Sequence, residues 1–585
     1  MSPSESPPAS PWCDNSPASP RTAWLAAGLV SLLAFVVLLP SLGDRPFYTT
    51  GEPREAAVVR AMWDGGSRIL PRVDGHRLPS KPPLYHWIAL GISEMRGTVD
   101  ETSSRLPSVL LAALTVGLVV HAGAVTWGAG CGVLAGVILM STLEWIHQAR
   151  VARVDATLGF FLTLVLVAVM RARTARTSTA SRAAFSLGVL GATLTKGPAG
   201  ALLPLTLVAF EGLLGSPSPV ERRGLGPRLS RARAFLGANG ALLALGLTSV
   251  VAGSWTLAAW WIGGNEFAEQ LILKENVLRV LDPERLGTGH RHGLFYLVPK
   301  LFLGGLPFSL MAPALVVHLV RSRPLAPATR WLVVWTCGVL FLFSLAASKR
   351  AAYLLPVYPA AALLLAHLVV MPALDRPTRF LMRQALIGAA AVVALSGGVV
   401  LILAFEVPLP AAVPGLLSTK DQQGFAAVLA GVQRQAVLVA GAASGVSLLG
   451  MLAIALARNE HFTRATVATA AALALVTAGL IPPLEGAIAT ERSPRAFARA
   501  ALRRTGNTDC ALLGEADHAL GFYIGRPLAR PGSLAAAAAR GLTCVIAPAR
   551  VVTKAPPGWA IALQSSSRGE SGHDSLVLLQ RDTPR

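Results

Sequence analysis

Charge is what this chain lacks most: only 14% of its 585 residues are Asp, Glu, Lys or Arg, against about 25% in an ordinary soluble chain. With 53% hydrophobic residues and a mean hydropathy of +0.54, the deficit argues against a soluble globular protein and for a lipid bilayer. Acidic residues are scarcer than basic ones, 31 against 52, leaving a formal net charge of +21. Such a balance can mark a nucleic-acid binder. Here much of the Arg lies between apolar runs, where it sets membrane orientation. Anionic membrane lipid is the expected electrostatic partner, and nucleic acid is not. Cysteine is sparse as well: Cys13, Cys131, Cys337, Cys510 and Cys544 form no C-x-x-C pair, so neither a zinc ribbon nor a dithiol redox motif is supported. Cys510 and Cys544 share the C-terminal segment and can pair if it faces an oxidising space.

What is present is a series of apolar runs. A bilayer core of about 30 Å needs roughly 20 apolar residues of helix. Thirteen candidate spans meet that pattern: 22–42, 105–125, 130–146, 155–170, 183–196, 198–214, 239–262, 294–320, 331–347, 351–371, 385–405, 435–457 and 465–483. Residues 1–21, rich in Pro and Ser, read as a disordered tail. The first apolar run is longer than the roughly 7–15 residues of a signal-peptide core and reads as a retained span. Segments 171–182, 221–234, 321–330 and 375–383 are strongly basic. With thirteen spans they share one side, which the positive-inside rule makes cytoplasmic. The expected topology is multi-pass in a cell (inner or plasma) membrane with the N-terminus cytoplasmic. Loops 43–105, 263–293 and 406–434 and the segment 484–585 then lie outside.

Residues 484–585 change character. SPRAFARALRRTG and SLAAAAARG read as helices, and TDCALLGE and LTCVIAPA as short buried strands. A small α/β extracytoplasmic domain is expected there, behind a transmembrane domain of residues 22–483.

The loop 43–105 mixes charge with aromatics. GEPREAAVVRAMWDGG and PPLYHWIALGISEM read as two short amphipathic helices at the membrane interface. The same side carries Lys81, Arg150, Arg153, Lys196, Lys349 and Arg350 in loops or at span ends, where positive charge is out of place. Charges close to a bilayer core are costly and usually functional. A shared anionic ligand explains them together, and a phosphate at the membrane surface is the obvious one.

Five motifs then fall into a recognisable order: GEPREA, LPRVDGHRLPSKPPLYHW, RVDATL, TKGPAG and SKRAAYLLPVYP. Over roughly residues 22–371 the chain resembles a group of GT-C membrane glycosyltransferases that includes protein O-mannosyltransferases and lipid A aminoarabinose transferases. The resemblance implies a polytopic α-helical, GT-C-like fold and a polyprenyl-phosphate sugar donor taken from the outer leaflet. It implies transfer to an acceptor outside, a lipid A-like glycolipid, another envelope glycan or a protein hydroxyl. Lys81, Lys196, Lys349 and Arg350 would stabilise the phosphate left when the sugar–phosphate bond breaks. Glu52 and Asp155 are the carboxylates to orient the acceptor or take its proton, with Arg54 and Arg153 beside them to keep them ionised. The resemblance also lays loop 263–293, with Glu275, Asn276 and Arg279, over the donor site.

Two departures matter. Relatives often carry Asp-Glu where this chain has Gly51-Glu52. Some aminoarabinose transferases place a metal-binding Glu just before the Lys of the Lys-Pro motif, where this chain has Ser80. The matching histidine would be His290, so a divalent metal is expected only if His290 finds other ligands, with His292, His86 and His76 as the candidates. The rival function is a transporter or flippase of lipid-linked sugars, and a non-catalytic membrane scaffold is a third reading. Transporters often show internal repeats and helices interrupted at mid-membrane, whereas this chain shows no repeat and gathers its polar residues at one face.

Overall fold

The computed structural model describes residues 16–581 apart from 50, 74–76, 175–176, 216–223, 279–291, 347, 406–418, 507, 515–516, 527, 553–555 and 569–574. It is mostly helical. Among the described residues, eight helices are long and apolar enough to cross a membrane, or up to ten if each of two bent pairs is one span. The chain is therefore a multi-pass membrane protein. The bent pairs, Ala129–Met140 with Leu143–Ala149 and Leu294–Gly304 with Phe308–Arg321, break two of the runs that the sequence presents as continuous. Pro198–Leu214 and Val357–Val370 are shorter apolar helices.

The bundle is built on helix Glu101–Trp127, against which Pro20–Leu38, Ala129–Met140 and Val154–Thr174 pack. Its start is set locally: the Asp100 side chain accepts from Ser103 N at 2.7 Å while Asp100 N donates to Ser103 Oγ at 3.0 Å, a reciprocal cap for two otherwise unpaired amides. Two buried tryptophans are satisfied too, Trp331 Nε1 donating to Leu166 O and Trp335 Nε1 to Pro356 O. An unpaired indole N–H there would cost the full desolvation of a polar group.

Three of the four basic segments, 171–182, 321–330 and 375–383, meet at one end of the bundle. Arg173 and Arg330 both pair with the fully buried Glu211, Arg182 Nε donates to Ala238 O at 3.1 Å, and Arg321 pairs with Asp375 at 2.9 Å. Helix Val154–Thr174 runs from Asp155 at its first turn to Arg171 and Arg173 at its last. Asp155 therefore stands at the end of the bundle opposite the basic segments.

At that opposite end sit helices Glu52–Trp63 and Leu84–Arg96 and the C-terminal residues. Strands β1 (Cys510–Leu512), β2 (Cys544–Pro548), β3 (Trp559–Arg568) and β4 (Ser575–Arg581) form one sheet in the order β1-β2-β4-β3. β1 and β2 are parallel with Cys510 opposite Cys544, and the two cysteines are disulfide-bonded. Tyr523, on helix His518–Ile524, ties this unit to the first loop: its hydroxyl donates to Glu101 Oε1 and accepts from Phe47 N, both at 2.7 Å. Burial first, and the Glu101 carboxylate second, hold the phenol protonated well above its usual range. Tyr523→Phe leaves a carboxylate and an amide short of a partner, a loss of about 1–3 kcal/mol. Hydrogen exchange should quicken in residues 495–581 while the spans stay protected; unchanged exchange would refute this docking role.

Candidate active site

The residues that form the site come from breaks between helices. In TKGPAG, Lys196 closes helix Thr179–Lys196, Gly197 turns the chain at φ 71°, and Pro198 opens helix Pro198–Leu214. Glycine adopts that left-handed conformation without steric cost, and proline suits a first helical turn because its missing N–H is not needed there. The result leaves the Lys196 side chain at a helix end. In RVDATL, Arg153 precedes helix Val154–Thr174 and Asp155 lies in its first turn, where the helix dipole favours a carboxylate. In GEPREA, Glu52 and Pro53 begin helix Glu52–Trp63, with Arg54 and Glu55 following in the same turn.

These ends converge on a cavity of about 260 Å³ lined by Arg54, Lys81, Arg153, Asp155, Lys196 and Arg350. Lys196 Nζ lies 2.9 Å from Asp155 Oδ1 and 4.4 Å from the centre of the Tyr353 ring. Lys81 Nζ lies 2.7 Å from Glu275 Oε2, so the segment expected over the site contributes Glu275 and Asn276 to the wall. Leu158, Leu162, Leu202, Leu203 and Phe343 make the remainder apolar. Five cations face three carboxylates, Glu55, Asp155 and Glu275, around the cavity. Two positive charges are left over, which matches a phosphate dianion.

Several expected members stand elsewhere. Glu52 is fully buried outside the cavity lining. Its carboxylate accepts from Arg105 Nε at 2.7 Å, Arg105 Nη2 at 3.2 Å and Ala152 N at 3.0 Å, with Arg45 Nη2 at 3.4 Å. Burial alone would raise its pKa, but the Arg105 and Arg45 charges and the Ala152 amide outweigh it and hold the carboxyl at about 2, below its ordinary 4.5. The geometry makes Glu52 a strut that fixes Ala152, next to Arg153, rather than a group open to substrate. Lys349 is buried and donates to His292 O at 2.8 Å. Arg150, also buried, donates to Leu38 O at 2.9 Å and pairs with Glu485 at 3.3 Å. The expectation that all six misplaced cations share one ligand is thus corrected: Lys81, Arg153, Lys196 and Arg350 line the cavity, and Arg150 and Lys349 are engaged by other groups away from it. At Gly51 the nearest atoms that an added Cβ would meet are those of the Arg153 guanidinium, the movable end of a long side chain.

Glu55 is a lining residue that sequence reasoning missed. It lies 2.7 Å from Arg54 Nη2 and 2.9 Å from His86 Nε2. Burial opposes its ionisation, yet Arg54 and the His86 hydrogen bond keep it well below the usual carboxylate range. The available signal was its place three residues after Glu52 in GEPREA, in the same first helical turn. Tyr353 was missed too, though SKRAAYLL put an aromatic three residues past Arg350. His290 and His76 lie outside the described residues. Among the described residues no group of three or more His, Cys, Asp or Glu is placed to hold a metal. Ser80 lines the cavity where the resemblance would put a metal-binding Glu.

Comparison with solved structures decides the fold. The crystal structure of ArnT from Cupriavidus metallidurans bound to undecaprenyl phosphate superposes with a TM-score of 0.73 at 21% identity, covering 95% of this chain and 98% of that one. The chain has the GT-C fold. The sequence family described as dolichyl-phosphate-mannose-protein mannosyltransferase matches residues 80–221, which holds Lys81, Arg153, Asp155 and Lys196. An undecaprenyl phosphate-alpha-4-amino-4-deoxy-L-arabinose arabinosyl transferase of Aeromonas salmonicida is 26% identical over 349 residues, 59% of each chain. An uncharacterized protein of Aquifex aeolicus is 26% identical over 341 residues, 58% of this chain and 62% of the other. The chain thus matches only about 60% of the length of these curated relatives. The likeness to GT-C glycosyltransferases of the mannosyltransferase and aminoarabinose transferase type covers the region in which the cavity lies.

Proposed function

We propose that the chain transfers a sugar from a polyprenyl-phosphate donor to an acceptor at the outer face of a bacterial-type cell membrane. The observation that carries this reading is the cavity itself, where cations in excess and one exposed edge of a Lys196–Asp155 pair adjoin an apolar wall. A lipid phosphate needs both halves: charge for its head and hydrocarbon for its tail.

The chemistry follows from the placement. Lys81, Arg153, Lys196 and Arg350, with Arg54, hold the donor phosphate. Attack by an acceptor hydroxyl on the anomeric carbon forms the new glycosidic bond while the bond from that carbon to the phosphate oxygen breaks. The negative charge stays on the departing polyprenyl phosphate, where fixed cations stabilise it without reorganising. Asp155 accepts the hydroxyl proton, and Lys196 holds its carboxylate in place. Glu52 acts through Arg105 and Ala152 as a positioning residue.

The reading that the cavity opens on the outer side is supported by the basic segments 171–182, 321–330 and 375–383 lying at the other end of the bundle, the end that the positive-inside rule assigns to the cytoplasm. The Cys510–Cys544 bridge accords with a C-terminal α/β domain in an oxidising space. We count thirteen crossings, taking the eight long apolar helices, each of the two bent pairs as one span, and Thr179–Lys196, Pro198–Leu214 and Val357–Val370 as short spans inside the bundle. The acceptor best suited to this layout is a glycolipid presented at the membrane surface.

The test is transfer from a synthetic undecaprenyl-phosphate aminosugar to lipid A by the full chain in nanodiscs. Asp155→Asn keeps the shape and removes the base. Activity in the wild type and a loss of about 10²–10⁴-fold in the variant is the expected result. Full activity of Asp155→Asn would overturn the assignment, and donor movement across a vesicle without transfer would point to a flippase.

A further inference from the structure

Between helix Pro198–Leu214 and span Ala241–Phe267 the chain forms helix Leu225–Ala238, LGPRLSRARAFLGA, with three arginines and no acidic residue. Two contacts hold its C-terminal half to the bundle, at the end away from the cavity. Arg182 Nε donates to Ala238 O at 3.1 Å, and the Arg173 guanidinium lies 4.4 Å from the centre of the Phe235 ring. Ala232 is buried beside Gly212, so closely that a Cβ added to that glycine would come within 2.7 Å of the Ala232 backbone. Asn239 and Gly240, the latter at φ 85°, then break the helix from the span, and the two run as separate elements.

The N-terminal half has no such cover. Leu225, Leu229, Ala232 and Leu236 recur at four-, three- and four-residue spacing and so form one apolar stripe. Ala232 is buried and Leu236 packs against the core, but Leu225 is 71% exposed and Leu229 54%. Arg228 and Arg233 are both exposed, and at 3.6 residues per turn they stand about 70° to either side of the stripe. The apolar surface continues on the neighbouring elements. Leu214, closing the preceding helix, is 49% exposed, and Leu242, opening the following span, is 81% exposed.

An apolar stripe that joins the lipid-facing surface and is edged by arginine suits the boundary between acyl chains and headgroups. Leucines enter the acyl side, while long basic side chains reach back to the phosphates. Charge then selects the lipid. The helix supplies no carboxylate for the ammonium of a zwitterionic headgroup, whereas a headgroup of net negative charge complements its arginines.

We propose that helix Leu225–Ala238 is an interfacial binding element for anionic phospholipid, with Leu225 and Leu229 in the acyl boundary and Arg228 and Arg233 on the headgroup phosphates. The inference is independent of the transferase reading: this lipid lies at the end of the bundle opposite Asp155 and Lys196 and is not a substrate.

The test uses the full chain in nanodiscs, with Cys13→Ser and Cys337→Ser and a thiol-reactive fluorophore on Leu225→Cys. Quenching by 5-doxyl phosphatidylglycerol is compared with quenching by 5-doxyl phosphatidylcholine, and aqueous iodide is the third arm. Both lipids should quench and iodide should not, and the apparent affinity for phosphatidylglycerol should be about tenfold the higher. Arg228→Gln with Arg233→Gln should bring the two lipids level. Arg321→Gln, at the same end of the bundle but off this helix, should keep the preference. Quenching by iodide and not by lipid would put the helix in water and overturn the proposal. Equal quenching by the two lipids in the unsubstituted helix would overturn the headgroup assignment, and loss of the preference in Arg321→Gln would overturn its placement on this helix.

Discussion

Lys196→Ala should lower kcat/KM for sugar transfer by about 10²–10³-fold, the range seen when one preorganised charge-stabilising donor is removed from an active site. Two roles fail together. The cavity loses one of its five cations, and Asp155 loses the ammonium 2.9 Å away that orients it. Because Lys196 ends its helix at the cavity, half-buried against Tyr353, truncation there leaves the apolar packing of the bundle intact. The variant should insert and melt as the wild type does. Lys196→Arg keeps the charge but not the compact shape of the ammonium, and partial recovery is expected. Steady-state kinetics with a polyprenyl-phosphate sugar decide the matter, and wild-type rates in Lys196→Ala would remove Lys196 from the mechanism.

Glu52→Gln should act through stability instead. It strips the counter-ion from Arg105, a guanidinium with no exposed surface. Breaking one side of a buried pair costs about 3–5 kcal/mol because the remaining charge has nowhere to go. Replacing both partners, as in Glu52→Gln with Arg105→Met, should restore much of the melting temperature, and transfer activity should return with it. A catalytic carboxylate could not be rescued in that way, so a stable but inactive double variant would reinstate Glu52 as a chemical participant. The pH dependence carries a matching sign. The folded carboxyl titrates at about 2 against an ordinary 4.5. A lowered folded pKa contributes stability that is fully present above pH 4.5 and drains away as pH falls toward 2, about 3 kcal/mol in all. Thermal melts between those limits should show the loss in the wild type and not in Glu52→Gln.

Composition and periodicity carried much of this molecule. The apolar runs located the helices because hydrocarbon demands about 20 residues of internally bonded backbone. The basic segments pointed to one end of the bundle, and three of them, 171–182, 321–330 and 375–383, come together there at Glu211 and Asp375. Lys81, Arg153, Lys196 and Arg350 stood out in the sequence because charge at span ends is costly without a purpose, whereas Arg54 and Asp155 stood out only through the resemblance to GT-C glycosyltransferases.

What only the tertiary structure decided was which charges face a ligand and which face each other. In sequence, Glu52 and Asp155 are equal candidates, both carboxylates flanked by arginine. The partner that separates them, Arg105, lies 53 residues away from Glu52 and meets it only when helix Glu101–Trp127 packs against the first loop. Arg150 depends in the same way on Glu485, 335 residues on. Local sequence sets helix ends, turns and apolar faces, because those follow from backbone geometry and hydration. Pairing among buried charges follows from where distant helices come to rest, and it divided the six misplaced cations into four that line a cavity and two engaged elsewhere.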